Sequence, residues 1–342
     1  MKICIYSSTF YPSTGGIENF VYLLAKEFVK LGHNVTIFTD IIKFSDTQFS
    51  FKVIRSKSFI SKIKVFREND IILLNNFSFK SIPAAILSFK NFFIVHHSAY
   101  HLNRVPLFSA EYILSYLKTR LCFFFNNISA SKFISKSLPI SSKIIYNTYN
   151  NNDFKKIKIN SKKKDFIFCG RLVSDKGANI LIDAFFQTLK KYNNSHLTIV
   201  GNGPELINLK NQAKKLGINK NIDFFSFLSN QALNRKLNEH FCMIIPSLWN
   251  EPFGSVALEG LATTDYIISS NRGGLSEAVK NFGVLVDPSI KNLSEEMINF
   301  LKNKNEIITQ IKKYNKNKKK HLSKHSSTNV AKDYIRYFSK NI

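Results

Sequence analysis

The sequence predicts an α/β protein made of two doubly wound parallel sheets, and three observations carry that prediction. Short β-branched and aromatic runs alternate with stretches of helical periodicity along the chain. Glycine-rich turns follow several of those runs, where a strand would hand over to a helix. The alternation halts once, in a polar Lys/Asn-rich stretch, and then restarts. A chain of 342 residues with 44% apolar content can fill two cores of about 150 residues each.

A first Rossmann-like domain is expected over residues 1–150. Its strands are expected at Ile3–Ser7, Val35–Thr39, Lys52–Arg55, Ile71–Asn75, Phe92–His96, Asn127–Ala130 and Lys143–Tyr146. The clearest helix is Ile17–Leu31, whose apolar residues recur at helical spacing and which Gly32 stops. Residues 151–164 lack apolar periodicity and read as a linker. A second such domain is expected over 165–325, with strands at Phe166–Cys169, Leu197–Val200, Ile222–Phe225, Met243–Pro246, Tyr266–Ser269 and Val284–Val286. Helices are expected near Ala178–Lys191, Pro204–Leu216, Asn230–His240, Gly254–Ala262, Leu275–Val279 and Leu293–Asn303. The basic tail, centred on Lys318–Lys320, reads as a solvated face, and 326–342 as a C-terminal helix able to cross back to the first domain.

The formal charge is +26, which has two readings. One is attraction to an anionic partner such as a membrane surface, a lipid-linked phosphate or a charged sugar donor. The other is compositional drift in a chain rich in Lys, Asn, Ile, Phe and Ser. The four cysteines (Cys4, Cys122, Cys169, Cys242) show no metal-ligand spacing and read as free buried thiols of a reducing compartment. No signal peptide is evident, and no run approaches the roughly 20 apolar residues that span a bilayer. The expectation is a cytoplasmic protein, with at most a peripheral contact on the inner face of an anionic membrane.

Six motifs carry the chemistry. Thr14-Gly15-Gly16-Ile17-Glu18 lies between the first strand and the first helix. It is either a tight turn or a place where backbone amides meet a ligand. Phe168-Cys169-Gly170-Arg171-Leu172, followed by Asp175-Lys176-Gly177, delivers two cations to the C-terminal edge of a sheet, where they can neutralise a diphosphate. Gly201-Asn202-Gly203-Pro204 is a structural turn or a wall of the same site. The most specific run is Glu251-Pro252-Phe253-Gly254-Ser255-Val256-Ala257-Leu258-Glu259-Gly260. There Glu251 would face a sugar, the amides of Gly254 and Ser255 a diphosphate, and Glu259 ribose hydroxyls. Asn271-Arg272-Gly273-Gly274-Leu275-Ser276-Glu277 opens another helix at the same edge. Finally, His96-His97 ends a first-domain strand. Alternation sends the two rings to opposite faces, and His97 is the candidate for the site, with Tyr100 and His101 nearby on the acceptor side.

With these motifs in this order, the chain resembles glycosyltransferase family 4, nucleotide-sugar-dependent retaining enzymes of the GT-B fold, over nearly its whole length. The resemblance is strongest across the second domain. It implies two Rossmann-like domains facing a cleft and transfer of a sugar from a nucleotide-sugar donor to a saccharide or lipid-linked acceptor. Arg171 and Lys176 would bind the diphosphate and stabilise the leaving group, Glu251 the sugar, and Glu259 the ribose. Gly16 would lie beside the reacting centre. The candidate catalytic residues are therefore Glu251, His97, Arg171 and Lys176. The donor site adds Gly15, Gly16, Gly203, Phe253, Gly254, Ser255 and Glu259. No cofactor or metal is implied. Cys169 and Ser98 depart from the family's usual choices without removing a charged group.

Phe108–Phe125 is a helical pattern rich in Phe, Tyr and Leu, with Lys118 and Arg120. It reads as a membrane-surface helix or a core helix. With the charge, it motivates a role in bacterial surface polysaccharide assembly (O-antigen, capsule or lipopolysaccharide). A nucleotide-sugar epimerase of the same fold and a basic nucleic-acid-binding protein are the alternatives. The second lacks any recognised DNA or RNA motif, so nucleic acid is not an expected partner. A dinucleotide oxidoreductase is set aside because no GxGxxG follows a strand.

Overall fold

The computed structural model describes residues 1–13, 15–43, 48–98, 109–160 and 162–341. The chain divides into two compact units, one of Met1–Thr148 with His325–Ile342 and one of Tyr149–Lys324.

The first unit is built on a parallel sheet of β1 (Lys2–Ser7), β2 (Asn34–Thr39), β3 (Lys52–Arg55), β4 (Ile71–Asn75), β5 (Asn91–His96), β6 (Asn126–Ser129) and β7 (Lys143–Ile144). The order is β3-β2-β1-β4-β5-β6-β7, so the winding reverses between β1 and β4. Its helices are α1 (Gly16–Lys30), α2 (Phe59–Arg67), α3 (Ile82–Leu87), α4 (Ala110–Cys122) and α5 (Lys132–Ser137). Strand alternation divides the sheet's side chains between two cores. Ile3, Ile5, Ile71, Leu73, Phe93 and Val95 pack with Phe20, Leu24 and Phe28 of α1. Cys4, Tyr6, Ile72, Leu74 and Ile94 pack with Val65 and Phe66 of α2, Ile82 and Ala85 of α3, and Cys122 of α4. Helix α4 turns its apolar face outward. Ile113, Leu114, Leu117 and Leu121 are exposed, whereas Thr119 is buried. The alternative of a core helix is thereby set aside.

The second unit is built on β8 (Lys164–Cys169), β9 (Leu197–Val200), β10 (Ile222–Phe225), β11 (His240–Ile245), β12 (Tyr266–Ser270) and β13 (Val284–Val286), in the order β10-β9-β8-β11-β12-β13. Every named pairing in both sheets is parallel. The helices are α6 (Ala178–Leu189), α7 (Leu206–Lys215), α8 (Asn230–Asn238), α9 (Ser255–Thr263), α10 (Leu275–Val279), α11 (Ile290–Lys313) and α12 (Asn315–Lys324). The stretch 151–164 falls inside this unit. Asn234 Oδ1 of α8 accepts the N–H of Lys155 at 3.0 Å, and Asn238 Oδ1 accepts that of Ile157 at 3.1 Å. Three cysteines are buried as expected, but Cys169 is only half-buried, because it sits where β8 runs out of the sheet.

The last helix, α13 (Ser327–Ser339), belongs to the first unit. Its Val330, Ala331, Tyr334 and Phe338 are buried in the core that α1 covers, and Thr328 Oγ1 donates to Glu27 Oε2 of α1 at 2.7 Å. Among the described residues, no helix is long and apolar enough to cross a membrane.

Candidate active site

In an open parallel sheet, the loops after neighbouring strands part where the winding reverses, and ligands bind there. In the second sheet this place lies between β8 and β11. The loops after these two strands grip each other. A 3-10 turn, Ser174–Lys176, ends at Gly177 in the left-handed region (φ 70°), and a Cβ on Gly177 would stand 2.1 Å from the carbonyl oxygen of Pro246. No other residue fits so close an approach. The Asp175 carbonyl accepts the N–H groups of Leu248 (2.9 Å) and Trp249 (3.1 Å). The grip carries Lys176 Nζ to 2.5 Å from Glu251 Oε1, which also accepts from Ser247 Oγ at 2.7 Å. Both members of this ion pair are partly shielded from water, at 19% and 14% exposure.

Arg171 stands on the same β8 loop, exposed, and makes no ion pair among the described residues. Its loop is held from one side by the turn after β9. Leu172 N–H donates to the Asn202 carbonyl at 2.9 Å, Glu205 N–H donates to the Leu172 carbonyl at 3.0 Å, and a Cβ on Gly203 would lie 2.3 Å from that same carbonyl oxygen. Gly203 therefore has a packing reason of its own. It carries the loop that presents Arg171.

Glu251 is bridged to Gly273, and Gly274 N–H donates to the Glu251 carbonyl at 2.6 Å, so the turn after β12 braces the acid. Helix α9 then starts at Gly254 with no side chain capping it and Ser255 as its first residue. The Ala257 N–H turns back to the Gly254 carbonyl at 2.9 Å, and those of Ser255 and Val256 make no hydrogen bond among the described residues, which leaves them for a ligand at the positive end of the helix. The Phe253 ring is 1% exposed, so its side chain anchors the turn. Glu259, one turn into α9, is half-buried, and its carboxyl makes no hydrogen bond or ion pair among the described residues. Burial pushes its carboxyl up to about 8. Its charge acts in turn on Tyr149 and Cys169, where burial first and Glu259 second push both groups up to about 12. The arrangement thus holds a free guanidinium, a lysine already balanced by a carboxylate, an open helix N-terminus and a second carboxyl in an apolar setting. Such a set can bind a diphosphate together with neutral hydroxyls.

The other candidates lie in the first unit. Gly15 caps α1 in an extended conformation with no side-chain bond, and Gly16 begins it. His96 is fully buried, with Nε2 2.8 Å from Asn127 Oδ1. His97 is 3% exposed, sits edge-on against Phe20 of α1 at 4.7 Å, and is held neutral by burial and then by its neighbour His96, with a pKa of about 3. Thr14, Tyr100 and His101 lie outside the described residues.

The structure therefore gathers Arg171, Lys176, Glu251, Gly254, Ser255 and Glu259 around one strand-end region, while Gly15, Gly16 and His97 belong to another. Ser247, Tyr149 and the Asp175 carbonyl escaped notice, because their parts depend on contacts between loops distant in sequence. Among the described residues no group of three or more His, Cys, Asp or Glu could hold a metal.

Comparisons with known proteins agree with this geometry. Residues 150–321 match the family model described as glycosyl transferases group 1. An uncharacterized glycosyltransferase of Methanocaldococcus jannaschii is 31% identical over 152 residues, 41% of this chain and 38% of its own length. The phosphatidylinositol N-acetylglucosaminyltransferase GPI3 subunit of Saccharomyces cerevisiae is 21% identical over 319 residues, 82% of this chain and 70% of its own length. Among solved structures, Anabaena HepE in complex with UDP superimposes with a TM-score of 0.82 at 18% identity, covering 99% of this chain and 100% of that one. WaaG, a glycosyltransferase involved in lipopolysaccharide biosynthesis, gives 0.74 at 14% identity over 97% and 98% of the two chains. At these identities the structural likeness establishes the fold, which is GT-B.

Proposed function

Since this chain belongs to the group 1 glycosyl transferases, we propose that it takes its sugar from a nucleoside-diphosphate donor bound on the second unit and transfers it with retention of configuration. The observation that carries this reading is the convergence at the β8/β11 reversal of exposed Arg171, the Lys176–Glu251 pair and the uncapped start of α9. Arg171 and the α9 amides take the diphosphate. Lys176 leaves its bond to Glu251 to meet the leaving phosphate, which frees the Glu251 carboxylate for sugar hydroxyls. Glu259 takes the ribose. His97, held neutral, is a hydrogen-bonding partner to the substrate and not a cation. The leaving phosphate accepts the acceptor's proton, so no enzyme nucleophile and no metal is needed. UDP bound by the Anabaena structural relative favours a uridine donor.

The acceptor on this reading is a saccharide or lipid-linked saccharide of bacterial surface polysaccharide, met at the cytoplasmic face of the membrane. The charge of +26 and the outward Ile113, Leu114, Leu117 and Leu121 of α4 support a peripheral contact with anionic lipid. The WaaG likeness is in keeping with that setting.

The test is a thermal-stability screen with UDP, GDP, ADP and their sugars on wild type, Arg171→Ala and Glu259→Ala. One nucleotide should stabilise the wild type by several degrees, and both variants should lose most of that shift. No shift with any nucleotide would sink the donor assignment.

A further inference from the structure

The loop that leads from β11 to Glu251 leaves two large apolar side chains in water. Leu248 and Trp249 are 41% and 42% exposed. The same stretch buries its other apolar groups. Met243, Ile244 and Ile245 of β11 lie in the core, and the Phe253 ring, four residues past Trp249, is buried too. The backbone beneath the two exposed side chains is fixed. The N–H groups of Leu248 and Trp249 both donate to the Asp175 carbonyl, at 2.9 and 3.1 Å. Ser247 is buried and its Oγ donates to Glu251 Oε1 at 2.7 Å, so a bond between residues 247 and 251 closes the loop at its base. One end of the loop is pinned where the Pro246 carbonyl abuts Gly177. The other is pinned where Gly274 N–H donates to the Glu251 carbonyl at 2.6 Å. The indole itself makes no hydrogen bond and no ring contact among the described residues. Trp249 is the one tryptophan of the chain.

An aromatic ring on a rigid loop, half in water beside a polar site, is one wall of a binding surface. Indole offers a flat apolar face and, at its edge, a single N–H donor. The Lys176–Glu251 pair stands at the base of the same loop, two residues along the chain from Trp249. Together they select a ligand that is apolar on its face and hydroxylated at its rim. A pyranose ring has that form, with C–H groups on its faces and hydroxyls around its edge. We propose that Trp249 is the platform on which a pyranose lies while Glu251 takes its hydroxyls. Leu248 widens the apolar step, and Ser247 is the positioning residue that ties the platform to the carboxylate. A nucleobase is equally flat but has no rim of hydroxyls for Glu251 to meet. Because the loop is already pinned, little freedom is lost when the sugar settles on the ring. That the hydroxyls meet Glu251 rests on the transferase reading above. The pyranose belongs to the donor or to a saccharide acceptor, both of which present the same face.

With one tryptophan in the chain, selectively excited indole emission reports this ring alone. Full-length protein is titrated with UDP, GDP and ADP, with their sugars, and with free glucose, galactose and N-acetylglucosamine. Thermal shifts are recorded on the same samples. A sugar-bearing ligand is expected to change the emission beyond the change given by its nucleoside diphosphate. A response to nucleotide sugar alone assigns the pyranose to the donor, and a response to free hexose assigns it to the acceptor. Calorimetry then compares wild type with Trp249→Ala and Trp249→Phe. The alanine variant should keep its Tm and its affinity for nucleoside diphosphate, and lose about five- to ten-fold in affinity for the sugar-bearing ligand. The phenylalanine variant should recover most of that loss. Ser247→Ala, which unties the loop from Glu251, should weaken the emission response several-fold, and Ser247→Thr should restore it. Emission that no sugar moves beyond its nucleoside diphosphate, or a Trp249→Ala protein that binds sugars as tightly as wild type, would overturn the platform. If nucleotides still stabilise the protein in that case, the donor reading stands without it. If free hexose moves the emission while no nucleotide stabilises, the platform stands and the donor assignment falls.

Discussion

Replacing Glu259 by Gln should make the protein more stable and a poorer binder of nucleotide, with a pH dependence of defined sign. The carboxyl sits half-buried on α9 with no cation beside it, and burial raises its pKa from the ordinary 4.5 to about 8. The folded state therefore keeps a proton that the unfolded chain has already released. The resulting cost is absent below about pH 4.5, grows as pH rises, and is complete above about pH 8. At about 1.4 kcal/mol per pH unit the ceiling is about 5 kcal/mol. Part of the side chain remains in water, so about half of that, ~2 kcal/mol, is the expected gain for the variant near pH 8. For a unit of this size, that is a rise in Tm of about 4–8 °C. Scanning fluorimetry of both proteins between about pH 5 and pH 9 would show the two Tm curves separating as pH rises. With nucleotide added, the order should narrow or invert, because the amide is a weaker acceptor for ribose hydroxyls. A constant Tm difference across that range, or an undiminished nucleotide shift in Glu259→Gln, would refute the reasoning.

Three further outcomes are expected. Arg171→Ala should leave Tm within about 1 °C, since the side chain is exposed and unpaired, yet raise the Kd for nucleoside diphosphate about 10- to 100-fold by calorimetry. Gly203→Ala should cost about 3 kcal/mol by urea denaturation, because its Cβ would stand 2.3 Å from the Leu172 carbonyl oxygen, and nucleotide affinity should fall with it as the Arg171 loop shifts. Exchanging exposed Leu117 and Leu121 of α4 for Ser should leave Tm unchanged or slightly higher and reduce flotation with anionic vesicles at low salt several-fold. Equal flotation of variant and wild type would remove α4 from any membrane contact.

The strands were legible because buried parallel strands are written as continuous β-branched and aromatic runs, and nearly all were placed to within two residues. Helices α2 and α3 were not. Phe59–Arg67 mixes Lys and Ser into a weak apolar stripe, and Ile82–Leu87 is six residues long with Pro83 near its start. The helix expected to stop at Asn303 runs on to Lys313, and Asn303 is where the backbone leaves helical angles (φ −110°, ψ 20°), so the pattern broke at a real kink. The motifs placed Arg171, Lys176 and Glu251 at strand ends, but not the bond between Lys176 and Glu251, 75 residues apart. That bond depends on strand order, which periodicity does not encode.

Four of the side chains that close the core over α1 lie between Val330 and Phe338, on α13. Synthesis therefore runs ahead of folding in an unusual order. The second unit is one continuous stretch, Tyr149–Lys324, and every residue it needs has been made before α13 is begun. The first 148 residues, although made first, wait for α13. At roughly 5–20 residues per second that delay is on the order of 10–40 s. Until then α1 holds Phe20 and Phe28 against a core without Tyr334 and Phe338, a natural client surface for a chaperone. The unit made second is the one able to finish folding first.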